Sequence, residues 1–61
     1  MTRRRVMTVL DVIVSDALTI GQISKRTGLW VIQVEAALMW LDNNGCLLIE
    51  DDLGRIGVYQ P

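Results

Sequence analysis

The sequence predicts a mainly helical α+β domain, with three helices followed by a two-stranded β-hairpin. Apolar residues recur at helical spacing over residues 3–17 and 30–43. Gly28 divides two amphipathic stretches with almost no connecting chain between them. After Asn43-Asn44-Gly45, two short apolar runs flank Glu50-Asp51-Asp52-Leu53-Gly54, the sequence form of a hairpin. The chain has 61 residues and forms one domain, 1–61.

Helix 1 is expected over about 3–17. It is rich in β-branched residues (Val6, Val9, Val12, Ile13, Val14), so a strand competes with it. Periodicity decides for the helix. At ~100° per residue, Val6, Leu10, Ile13 and Ala17 fall on one line, flanked by Val9 and Val14. Arg4, Thr8, Asp11 and Ser15 fall opposite. Alternation would group Val9 with Asp11 and segregate nothing. Met7 and Val12 lie off the apolar stripe, which fits either loose helical packing or a second face buried in a dimer. Leu18 and Thr19 fit a very short strand before the next helix.

Helix 2 is expected over about 20–27. Thr19 with Gln22 three residues later forms a capping box, in which hydroxyl and amide satisfy backbone N–H groups at the helix start. Ile20 and Ile23 point inward, and Lys25-Arg26 outward. Gly28 supplies the left-handed backbone that ends the helix. Helix 3 is expected over about 30–43, with Val34, Ala37, Leu38 and Leu41 as its core stripe. The hairpin occupies about 46–59, and Pro61 follows it. Asp51-Asp52 reads as turn chemistry rather than a metal site.

Composition removes several function classes. With one cysteine and no histidine there is neither an internal disulfide nor a Cys/His metal set. No base stands ready to activate Cys46, which reads as a small buried apolar residue, and no phosphate loop is present. An enzyme, a cofactor and a small-molecule substrate are therefore not expected. No run approaches the ~20 apolar residues of a membrane span, so no membrane partner is expected. A lone cysteine without a signal-peptide pattern predicts a reducing cytoplasm. A domain this small buries only ~60 % of its unfolded surface and is marginal unless it self-associates.

The net charge is −1 and the isoelectric point about 5.0. That is a poor total for a nucleic-acid binder, but the charges are segregated. Arg3, Arg4 and Arg5 open the chain, Lys25-Arg26 lies in the central motif, and Glu50-Asp51-Asp52 clusters near the hairpin tip.

Ile20-x-x-Ile23-Ser24-x-x-Thr27-Gly28-Leu29, then Val34-x-x-Ala37-Leu38-x-x-Leu41, then Gly45 before an apolar strand, resembles the winged helix-turn-helix family of small bacterial and phage regulators. The resemblance covers nearly the whole chain. It implies that helix 3 is a recognition helix for double-stranded DNA and the hairpin a wing, as in a small transcriptional regulator. By position, Val31, Ile32, Gln33, Ala36, Met39 and Trp40 would face the groove. Lys25, Arg26 and Arg55 would meet phosphates, and Arg3 and Arg4 would belong to an N-terminal arm.

The residues also support a second expectation. Helix 3 has no Lys or Arg, Glu35 would repel phosphate, and Trp30 stands where a polar N-cap belongs but cannot cap. Trp30, Ile32, Met39 and Trp40 would instead form an apolar contact for a homodimer or another protein partner.

Overall fold

The computed structural model describes residues 2–59, and Pro61 lies outside them. Helix α1 (Arg3–Ser15), α2 (Ile20–Thr27) and α3 (Val31–Asn43) precede strands β1 (Leu48–Glu50) and β2 (Ile56–Val58). The expected α+β order of three helices and a hairpin is present, and α2 has the expected bounds. The three helices pack on one another, and β2 closes the core against α1.

α1 ends at Ser15, two residues short of the expected end at 17. Asp16 turns to extended backbone at φ −147°, ψ 142°. The cause is non-local. Leu18 bridges Ile56, with the Leu18 N–H donating to the Ile56 carbonyl at 3.0 Å and the Ile56 N–H donating back at 2.6 Å. Two backbone bonds and a buried Leu18 hold the chain in a strand conformation that an extra helical turn would forbid. The short strand expected at Leu18-Thr19 is thus present as this bridge.

The buried line of α1 is Val6–Val9–Ile13, rotated from the expected Val6–Leu10–Ile13–Ala17 line. Leu10 and Val12 are half-buried on its two flanks, because α2, α3 and β2 all pack on this helix and widen its contact face. Ala17 lies beyond the helix and is exposed, and so is Val14. Val12 therefore packs on the core, while Met7 stays outside it.

Val9, Ile13, Ile23 and Val34 are the largest fully buried side chains, one or two from each helix. Burying a side chain of this kind contributes about 1.5–3 kcal/mol, so these few residues carry a large share of a small domain's cohesion. Val34, Ala37, Leu38 and Leu41 are all buried, as the α3 stripe predicts. Cys46 is half-buried and packs against this core.

The strands pair antiparallel in the register Leu48–Val58, Ile49–Gly57, Glu50–Ile56. Their turn is built on Asp51. Its Oδ1 accepts from the N–H groups of Leu53 and Arg55, each at 2.9 Å, and Gly54 supplies a φ of 78°. On the other side of β2, a Cβ on Gly57 would stand 3.3 Å from that of Ala17. Glycine there lets the bridged segment approach the strand.

Candidate functional site

The motif around Gly28 explains which face of α3 points outward. α2 starts on the expected capping box: the Gln22 N–H donates to Thr19 Oγ1 at 3.2 Å, and the Thr19 N–H donates to Gln22 Oε1 at 2.9 Å. It ends on Gly28, at φ 75° and ψ 9°, whose N–H donates to the Ser24 carbonyl. Two hydroxyls then lock the turn. Ser24 Oγ donates to the Leu29 carbonyl at 2.6 Å. Thr27 Oγ1 donates to the Ile23 carbonyl at 2.7 Å and accepts from the Leu29 N–H at 3.2 Å. Ser24 and Thr27 thus satisfy backbone groups that the tight turn frees. Leu29 is half-buried against the core and anchors the turn from inside.

With the turn fixed, α3 buries Val34, Ala37, Leu38 and Leu41 and presents Ile32, Ala36, Met39 and Asn43 on the opposite side. Trp30 and Ile32 are each 76 % exposed, Met39 66 % and Trp40 45 %. Val31, Glu35 and Asp42 form one exposed flank, and Trp40 lies on the other beside half-buried Gln33. Trp40 also borders a shallow apolar groove with Arg3, Val6 and Met7 of α1.

The start of α3 departs from that of α2. Trp30 occupies the N-cap position, at φ −66° and ψ 150°, and its side chain accepts no bond. Gln33 performs half of a capping box alone, its Oε1 accepting from the Trp30 N–H at 2.9 Å. One end of the amide expected to read bases is therefore committed to the helix start. Its NH2 group remains as two donors. A glutamine three residues after the N-cap, the same spacing as Thr19 and Gln22, is the sequence signal for this role.

None of the cations lies on α3. Lys25 and Arg26 are exposed in the last turn of α2, where they also suit the negative end of the helix. Arg3 and Arg4, expected in an N-terminal arm, instead lie exposed in the first turn of α1, because the helix begins at Arg3. Arg55 is engaged: its Nε donates to Asp51 Oδ2 at 2.6 Å, in an ion pair with both side chains substantially exposed. The Arg55 N–H, its guanidinium and the Leu53 N–H together hold the Asp51 carboxyl below the usual carboxylate range. The wing thus stiffens Arg55 through the residue that makes its turn.

The hairpin adds more exposed apolar surface at Leu47, Ile49, Leu53 and Tyr59. Among the described residues no helix is long and apolar enough to cross a membrane. No protein-family model, curated protein or solved structure matches the chain.

Proposed function

We propose that this chain is a winged-helix DNA-binding domain acting as a small transcriptional regulator in a reducing cytoplasm. The observation that carries the reading is the locked turn from Ser24 to Leu29, which holds α3 with its outward side open along the whole helix. A helix held this way on a compact support has the form that enters a major groove. Ile32, Ala36 and Met39 would contact thymine methyls, and the free NH2 of Gln33 would donate to a base-edge acceptor. Lys25, Arg26 and Arg55, with Arg3 and Arg4 from the first turn of α1, would hold phosphates. Duplex affinity should then fall with salt at a log–log slope of roughly −3 to −5 per bound chain, at ~0.9 per neutralised phosphate. Fluorescence anisotropy of a labelled random duplex measures it. No salt-sensitive binding at low ionic strength would sink the reading.

A second reading rests on a different observation: the outward face of α3 is apolar and carries Glu35 and Asp42 on its flank but no cation. In it, Trp30, Ile32, Met39 and Trp40 form the contact for a protein partner, a second copy included, and no DNA is bound. Met39→Ala would then weaken the partner complex, whereas Lys25→Ala and Arg26→Ala would leave it unchanged. The DNA reading predicts a loss from the two cation changes.

A further inference from the structure

The core of α1 leaves a second apolar line unaccounted for. Met7, Leu10 and Val14 follow one another at spacings of three and four, about a quarter-turn round the helix from the buried Val6–Val9–Ile13 line. Met7 is 44 % exposed and Val14 47 %, and Leu10 is half-buried between the two lines. Arg3 extends the line one turn toward the N-terminus, and Trp40 flanks it across the groove from Met7. A line repeating at three and four is the seam by which two helices pack lengthwise. Next to it, on the side away from the core, Arg4 and Asp11 are exposed seven residues apart, so they stand above one another on the same edge.

We propose that α1 pairs with α1 of a second copy of this chain, antiparallel across a two-fold axis between residues 8 and 9. In that arrangement Met7 packs on Leu10 of the copy, and the stem of Arg3 lies along Val14 of the copy. The charged edges then face each other, so Arg4 meets Asp11 of the copy and Asp11 meets its Arg4. The charges select this orientation. In a parallel pairing the Arg4–Asp11 edge would face the copy's core side, occupied by Val6, Val9 and Ile13, where no opposite charge stands. Self-association also meets the need of a chain of this size for more buried apolar surface. The outward face of α3, opposite Val34, is not consumed, so the pairing holds whether that face binds DNA or protein; in a DNA complex Arg4 would be withdrawn from phosphate by Asp11 of the copy, while the Arg3 guanidinium would stay available.

Sedimentation equilibrium of the full chain tests the pairing through charge reversal. The wild type should sediment as a dimer at high micromolar concentration. Arg4→Asp and Asp11→Arg should each weaken it roughly tenfold or more, because one substitution turns two attractive pairs into repulsive ones. The double variant restores opposite charges across the axis and should recover wild-type association within about threefold. Met7→Glu, at an exposed position off the core, should leave the helical circular dichroism unchanged and the chain monomeric. A monomeric wild type up to about 1 mM, a double variant as weak as the singles, or a dimer indifferent to all four variants overturns the proposal.

Discussion

The two helices of the central motif begin in opposite ways. At α2, Thr19 and Gln22 satisfy each other's backbone N–H groups, and the helix presents an ordinary polar exterior. At α3 the same glutamine spacing supplies only one bond, because Trp30 offers no acceptor and projects into solvent instead. A serine there would add a hydrogen bond and remove an exposed indole. α2 obeys local rules at both ends, whereas α3 gives up a side-chain cap at the edge of its outward face and exposes an indole there.

The largest contrast between the two helices should appear when each is truncated. Ile23, fully buried in α2, should cost about 2–5 kcal/mol on change to alanine. Met39→Ala, on the open side of α3, should stay within about 0.5 kcal/mol. Chemical denaturation measures both. A large loss at Met39 would mean that the outward face supports the fold after all.

The two starts can then be exchanged. Thr19→Ala should destabilise by about 1 kcal/mol, and Trp30→Ser should stabilise by up to about 1 kcal/mol while weakening whatever α3 binds. Equal signs in thermal melts would erase the contrast between the helices.

The smallest effect belongs to the wing. Asp51 is held below its ordinary range when folded, so its contribution is present above the unfolded carboxylate pKa and is lost as pH falls through the folded value. Asp51→Asn should flatten the acid side of the stability profile and leave the neutral region with a small, pH-independent loss of the turn. An unchanged acid limb would contradict that role.

The residues legible in the sequence are those governed by near neighbours. Thr19, Gln22 and Gly28 announce α2 because caps and left-handed glycines act within four residues. Val34, Ala37, Leu38 and Leu41 announce the inner side of α3 because a single stripe meets a single core. The end of α1 was not legible: Leu18 is drawn out of the helix by Ile56, almost forty positions along the chain. The burial of Val12 and exposure of Val14 depend likewise on three elements packing on one helix. In the candidate site, the exposure of Ile32, Met39 and Trp40 followed from the wheel. The engagement of Gln33 and Arg55 did not, since each serves a local backbone or carboxylate group that composition does not reveal.

On the proposed DNA-binding reading, the open side of α3 meets duplex DNA while Lys25, Arg26 and Arg55 meet its phosphates. A 15N-labelled NMR titration of the full chain with a random duplex at low salt tests it most directly. Progressive shifts are expected at Lys25, Arg26, Gln33, Met39 and Arg55, retreating as salt is added. A spectrum unmoved at these positions at low salt would contradict it and leave the apolar face of α3 to a protein partner.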